Sequence, residues 1–435
     1  PILARISPSK KEEAETKFFA EKALSSLKRQ LPKEVKMMLA GSVAKGTFLS
    51  GAGDIDLFAI FPHEYAKEDM FEEVKKASKK TFPKAKFEER FAEHPYLSIH
   101  FKGKKLDIVP SYEMKFGEKV KSAVDRSQLH TEFVLKNLPE NKRGDARLLK
   151  QFLKANLLYG AEIKTRGFSG YLCELMIIHY KSFERFIQAV SRWQFPVFLD
   201  PAGHYGDPAE IPEFNSPLVV IDPVDRSRNV AAIIPLENLV RLQAIAREFT
   251  RRPSEAHFFP SKKSKKELSA HAEGREFFGI SFRKPEGVVD DVFWGQFWRF
   301  ASQVSAFLKH NGFEASGVYP YSAGKDCIVL LELKSSKLPK TQVFRGPPQE
   351  HKKHVTAFKK SHMGPYFIEG GRVCAKGKRR LWNISLAFRD LKKRKDFPSH
   401  IQPSLFRSRL LGKKEIISKF PEALDEYFRV RCFSE

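Results

Sequence analysis

Cysteine is scarce: Cys173, Cys327, Cys374 and Cys432 are the only four in 435 residues, far apart and without C-x-x-C or Cys/His ligand spacing. That argues against a disulfide framework and a zinc module, and it favours a reducing, intracellular setting with a cytoplasmic location. Long apolar runs are missing too. The longest, such as Leu57–Phe61 and Cys327–Leu331, fall far short of the ~20 residues a membrane span needs. No apolar signal segment opens the sequence given, so neither membrane insertion nor export is expected. Internal repeats and low-complexity tracts are also absent, which leaves a series of globular units. Acidic residues are in short supply: 52 Asp+Glu stand against 77 Lys+Arg, a formal charge of +25.

What the chain does have is apolar mass and basic charge. Its composition is 42% hydrophobic, with 39 Phe, which is enough for several cores and excludes disorder over most of its length. A charge of this size points to a polyanionic partner. Apolar residues at helical spacing from Lys10 to Leu31 are stopped by Pro32. Strand-like stretches follow at Val35–Ala40, Asp54–Phe61, Lys84–Arg90, Leu97–Phe101 and Leu106–Val109, with a helical pattern over Lys67–Lys80. A mainly helical segment then carries patterns at Ala146–Tyr159, Gly170–Trp193 and Leu236–Arg251, and a Pro/Gly-containing loop lies between the last two. Beyond Pro253 come strand Phe277–Phe282, helix Val292–His310, strands Phe313–Tyr319 and Cys327–Leu333, helix Gln349–Ser361 and a hairpin about Gly370-Gly371. That order is β-α-β-β-α-β, a split βαβ or ferredoxin-like pattern.

The richest stretch for chemistry is Leu39–Phe61. Asp54 and Asp56 are two apart on an apolar strand, so both carboxylates face one side while Ile55 and Leu57 face the other. Like charges so placed repel unless a cation lies between them. A second strand offers Asp107 as a third carboxylate if it pairs nearby. Three carboxylates suit hard Mg²⁺, and two such ions can hold both the attacking and the leaving oxygen of a phosphoryl displacement. Upstream, Gly41-Ser42 precedes a turn with Lys45 and Thr47, where backbone N–H groups and the Ser42 hydroxyl can receive phosphate oxygens. The Walker spacing is absent. A D-x-D pair alone is commonly a strand-end or surface pair; the Gly-Ser turn and the later strand Asp make the combination specific.

These residues resemble the nucleotidyltransferase superfamily, with its Gly-Ser turn, D/E-x-D pair and third carboxylate. The similarity is greatest to archaeal-type, class I CCA-adding enzymes. It is carried by Gly41–Phe58, Ala92–Tyr96, Ser122–Arg126 with His130, Leu148–Asn156, Tyr159–Glu162, Arg166–Glu174 and Asp222–Val230. Lys45 and Gly46 stand where relatives often have Arg-Asn, which keeps the charge but not a bidentate fork. The resemblance implies an α+β fold: a nucleotidyltransferase mixed sheet with helices over 1–140, a helical domain over 141–252, and a ferredoxin-like, RNA-binding α/β region over 253–435. It further implies attack of a tRNA 3′-hydroxyl on the α-phosphorus of CTP or ATP with release of pyrophosphate, on two Mg²⁺ ions held by Asp54, Asp56 and Asp107, with Asp107 as proton acceptor.

The same resemblance implies that Ser42, Lys45, His94, His130, Lys150 and Tyr159 grip the nucleotide, and that Arg228 reads its base. Guanidinium only donates hydrogen bonds, and cytosine N3 and adenine N1 accept them, whereas uracil N3 and guanine N1 carry hydrogens. An ion pair with Asp222 or Asp225 is a competing or accompanying role for Arg228. Ser127 is placed near the primer end. Lys376, Lys378, Arg379 and Arg380 belong to a basic stretch, Arg372–Lys395, that contains the single acid Asp390 and suits an RNA backbone. The partners expected are tRNA, CTP and ATP, with a homodimer as one arrangement open to the chain and no membrane. A poly(A) or oligoadenylate polymerase of the same superfamily and a non-catalytic RNA-binding protein are the alternative readings; the intact carboxylate trio argues against the second.

Overall fold

The computed structural model describes residues 1–91, 95–115, 118, 124–207 and 211–431; His94, Cys432 and Ser122, named above, lie outside them. Two compact units result, Pro1–Ser261 and a second beginning at Lys262.

The first unit opens with α1 (Ile2–Ile6) and α2 (Lys10–Lys28); Ser9 starts α2 by accepting from the Glu12 N–H. Strand β1 (Lys36–Ala40) runs straight into the one-turn α3 (Gly41–Ala44), followed by β2 (Ile55–Phe61), α4 (Lys67–Thr81), β3 (Lys86–Phe91), β4 (Pro95–Phe101) and β5 (Lys104–Tyr112). The sheet order is β1-β2-β5-β4-β3, parallel at β2–β5 and antiparallel elsewhere. Strand β2 lies between two neighbours with both faces covered, which explains why Ile55–Phe61 is apolar at every position but Asp56. Ile55, Leu57 and Ala59 pack with Ala20 and Leu27 of α2 and with Met70, Val74 and Ala77 of α4. Phe58 and Ile60 form a second, smaller cluster with Ala40. Alternation places Asp56 on the Phe58 side, away from the main core.

Next come α5 (Arg126–Asn137), α6 (Arg143–Ala155), α7 (Gly170–Tyr180) and α8 (Phe183–Ser191), a small sheet of β6 (Val197–Leu199), β7 (Leu218–Asp222) and β8 (Asp225–Asn229), and α9 (Leu236–Arg251). The single helix expected over Gly170–Trp193 is two. Lys181 adopts a left-handed conformation (φ 70°) that ends α7, and Ser182 starts α8 by accepting from the Arg185 N–H. Apolar spacing continues through the break because both helices bury one face in a common core, so periodicity alone cannot reveal it. That core centres on Phe152, Phe183, Phe249 and Phe258, whose ring centroids lie 5.4–5.9 Å apart.

The second unit comprises α10 (Lys265–His271), β9 (Glu276–Arg283), α11 (Asp290–His310), β10 (Ala315–Ala323), β11 (Asp326–Leu333), β12 (Thr341–Pro348), α12 (Lys352–Ser361), β13 (Tyr366–Glu369), β14 (Arg372–Lys378), α13 (Ile384–Leu391), α14 (Gln402–Phe406), β15 (Arg409–Gly412), α15 (Lys413–Lys419) and α16 (Pro421–Arg431). Its main sheet, β10-β11-β9-β15, is antiparallel throughout. This is the split βαβ order expected from the sequence, completed by different elements. The fourth strand is β15, and α13 packs beside α11. Helix α12 and the Gly370-Gly371 hairpin belong instead to an inserted sheet, β12-β14-β13. Consecutive reading joined them because the insertion begins immediately after β11. Among the described residues, no helix is long and apolar enough to cross a membrane.

Phe152 is fully buried and meets three other phenylalanines, so Phe152→Ala should destabilise the first unit by about 3–5 kcal/mol, measured as a lower urea midpoint in chemical denaturation.

Candidate active site

The parallel register sets Asp56 of β2 directly opposite Asp107 of β5, and Asp54 sits one residue before β2. The condition attached to the third carboxylate, that its strand pair nearby, is therefore met. Burial, then the Asp107 charge, pushes the Asp56 carboxyl up to about 6. Ser98 Oγ donates to Asp107 Oδ1 at 2.6 Å. Lys105 Nζ bridges the other two acids, 2.9 Å from Asp54 Oδ2 and 2.8 Å from Asp107 Oδ2. Gly41, the first residue of α3, closes the site: it has φ +67°, and a Cβ there would lie 1.8 Å from Asp56 Oδ2, so only glycine fits. The donors are hard carboxylate oxygens, the chemistry that Mg²⁺ or Mn²⁺ prefers. They do not form a ready-made cage: among the described residues, no three His, Cys, Asp or Glu side chains are already arranged as a metal site.

Ser42 lies in α3, partly exposed, its carbonyl accepting from the Thr47 N–H at 2.9 Å. Lys45, at the end of the same turn, reaches Glu174 of α7, Nζ to Oε2 at 2.6 Å. Lys150 of α6 meets the other oxygen, Oε1, at 2.8 Å and also donates to Thr47 Oγ1 at 2.8 Å. Thr47 in turn donates to Glu174 Oε1 at 2.5 Å. Glu174 is wholly buried and the two lysines nearly so. Burial would raise its carboxyl; the ammonium groups of Lys150 and Lys45 outweigh that and hold it at about 2. Tyr159 approaches from the segment after α6, where burial pushes its hydroxyl up. A Cβ on Gly170 would stand 3.2 Å from that hydroxyl and 3.7 Å from Lys150 Nζ, so this second glycine lets Tyr159 and Lys150 converge.

A second buried acid organises the far side. Asp222, at the end of β7, accepts from Arg228 Nη1 (2.6 Å) and the Tyr171 hydroxyl (3.2 Å) and lies 2.9 Å from His130 Nε2. Although burial works against it, these partners, His130 and Arg228, hold its carboxyl at about 2. Burial pushes the His130 imidazole below its ordinary range against the opposing pull of Asp222, and the ring stacks on Tyr171 at 4.0 Å. Arg228 thus makes the ion pair with Asp222, while its side chain stays 37% exposed. Asp225 pairs instead with Arg126 at 3.0 Å. Ser127 is in the first turn of α5, partly exposed, its carbonyl accepting from Thr131 Oγ1 at 2.9 Å.

In the second unit Lys376 and Lys378 are exposed on β14. Arg379 instead ties two backbone carbonyls, Pro339 O at 3.1 Å and Asn311 O at 3.2 Å, and Arg380 pairs with Asp390 at 2.9 Å. Three residues of the first unit's site had no assigned role in the sequence reading. Lys105 was legible by its place two residues before Asp107, on the same strand face. Glu174 and Tyr171 sit in the Arg166–Glu174 block, but nothing local marks a helical Glu as the partner of two distant lysines.

A parallel strand pair carrying three carboxylates beside a Gly-Ser turn defines a nucleotidyltransferase head. Residues 20–130 match the family model "Nucleotidyltransferase domain", 144–259 match "tRNA nucleotidyltransferase, second domain", and 273–409 match "CCA-adding enzyme, C-terminal domain". The CCA-adding enzyme of Methanosarcina acetivorans is 35% identical over 390 residues, 86% of this chain and 83% of that protein. That of Sulfurisphaera tokodaii is 31% identical, covering 92% and 93%, and that of Methanococcus maripaludis 33%, covering 90% of each. The chain belongs to the CCA-adding enzyme family of tRNA nucleotidyltransferases, whose members generally use divalent metal ions.

Glu174→Gln should cost about 3–5 kcal/mol at pH 7, because it leaves two buried ammonium groups without a carboxylate. The folded Glu174 value lies below its ordinary 4.5, so its contribution is complete above about pH 4.5 and is lost as the pH falls through about 2. The stability gap between wild type and variant, followed by denaturant titration, should narrow across that window.

Proposed function

We propose that this chain adds C, C and A in turn to the 3′ end of tRNA, without a template, using CTP and ATP. The register that places Asp56 opposite Asp107, beside Gly41-Ser42, carries the reading. Asp54, Asp56 and Asp107 would hold two Mg²⁺ ions, which supply neutralisation of phosphate charge and a lowered pKa for the attacking hydroxyl. The tRNA O3′ bonds to the α-phosphorus, the bond to the β-bridging oxygen breaks, pyrophosphate leaves, and the hydroxyl proton passes to Asp107. Lys45 and Lys150 share a single Glu174, so their cluster keeps a net positive charge that favours the triphosphate and the departing pyrophosphate. Ser42, His130 and Tyr159 supply hydrogen-bonding groups to phosphate and sugar, and His94 completes that set by the family match alone.

Arg228, oriented by Asp222 and still partly exposed, is suited to donate to cytosine N3 or adenine N1. The exposed Lys376 and Lys378 side chains are available to an RNA backbone, and Arg379 and Arg380 contribute charge while holding local structure. Ser127 is assigned to the primer end. The reading places the enzyme in the cytoplasm with its substrate.

Supplied with tRNA lacking its last three nucleotides, the enzyme should add two residues with CTP alone and then one A when ATP is present; an open-ended A tail would overturn the proposal. Asp107→Ala should abolish addition, by at least about 10³-fold if the trio acts as a unit, while tRNA affinity in a filter-binding assay stays nearly unchanged. Arg228→Ala should lower CTP and ATP use and narrow the preference over UTP and GTP, read as ratios of kcat/KM.

A further inference from the structure

We infer that Lys105 is a built-in counter-ion of the carboxylate trio, and that a divalent ion enters only by displacing its ammonium from between Asp54 and Asp107. The inference rests on the metal-ion reading above. Alternation along β5 puts Lys105 and Asp107 on one face and Lys104 on the other, where Lys104 Nζ donates to Thr16 Oγ1 at 3.0 Å. Of these two adjacent lysines, one therefore supports the core side and the other faces the acids. The Lys105 ammonium lies 2.9 Å from Asp54 and 2.8 Å from Asp107, so it links the two outer members of the trio. It takes up the oxygen atoms Asp54 Oδ2 and Asp107 Oδ2 that an incoming cation would need.

The arrangement has a physical reason. Three carboxylates with no cation among them repel, and a lysine on the same strand relieves that repulsion without leaving the protein. Its side chain is 25% exposed and Asp54 is 55% exposed, so the flexible four-carbon stem has a path outward when a stronger cation arrives. The cost of moving it weakens binding of an ion that comes alone. An ion that comes with a nucleoside triphosphate brings phosphate oxygens as further ligands and offsets that cost, so the exchange favours loading metal together with substrate.

The test uses the full chain, without nucleotide, as wild type, Lys105→Met and Lys104→Met, titrated with Mn²⁺ and read by the electron paramagnetic resonance signal of the free ion. Lys105→Met should bind Mn²⁺ about tenfold more tightly, as expected for one positive charge removed a few ångströms from the ion, whereas Lys104→Met should match wild type. In EDTA, Lys105→Met should melt below wild type and recover when Mn²⁺ is added; Lys105→Gln serves the same comparison if the Met variant does not fold. Equal or weaker Mn²⁺ affinity in the Lys105 variants, with measurable wild-type binding, overturns the counter-ion role. Tightening of the same size in Lys104→Met overturns it too, because the effect would then be net charge. If neither wild type nor variant takes up Mn²⁺, and added CTP brings no uptake beyond that of CTP alone, the metal-ion reading itself fails.

Discussion

The first unit depends on one buried carboxylate. Glu174 sits on α7, a helix that is otherwise almost wholly apolar, and accepts from Lys45, Thr47 and Lys150. Two of these partners belong to the turn after α3 and the third to α6, so a single side chain ties the Gly-Ser turn to the helical core. A buried charge of either sign is expensive alone. None of the three charged groups can move independently, which makes the turn rigid where rigidity places Gly41 against Asp56. The cluster also carries one more positive charge than negative, and Lys45 is close enough to lower the Asp56 pKa.

Charge at this site is thus arranged as neighbouring acid–base clusters, each with at least one buried or half-buried member. The acidic trio is balanced locally by Lys105. Beside it lies the Lys45–Glu174–Lys150 group. Beyond the Lys45 ammonium, 5.7 Å from the Tyr171 ring centroid, the His130–Tyr171 stack leads to Asp222 and Arg228. Glu174 and Asp222 each pin basic side chains from other elements, and those bases hold the two carboxyls well below their ordinary range. The overall charge of +25 therefore says little about the active site, where acids are the organisers.

Much of this was legible from the chain. Strand alternation placed Asp54 and Asp56 on one face, and the apolar run of β2 marked a strand with both sides covered. The α2 and α4 patterns and the succession of strands β1 to β5 along the chain also read directly, although α2 ends at Lys28, ahead of the expected stop at Pro32. The break at Lys181 did not, because a left-handed residue between two helices that share a core leaves the apolar spacing intact. Nor did the β15 strand, which completes the main sheet of the second unit across an inserted sheet; pairing over that distance has no local signature. Of the four basic residues singled out near the C-terminus, charge was evident but availability was not. Arg379 is spent on two carbonyls, while Lys376 and Lys378 remain exposed.

The sequence by itself determined the chemistry available: which residues are carboxylates, which face of β2 they share, where glycine permits close approach, and which family the motifs match. These are properties of residue type and of short repeats, and they survive in one dimension. Tertiary structure decided which charges meet. The opposition of Asp56 and Asp107 needed the parallel register of two strands separated by a helix and a hairpin. The pairing of Glu174 with Lys45 and Lys150, and of Asp222 with His130 and Arg228, needed side chains from separate elements to be desolvated together. Electrostatic partnership depends on distance and burial, and neither is written in the order of residues.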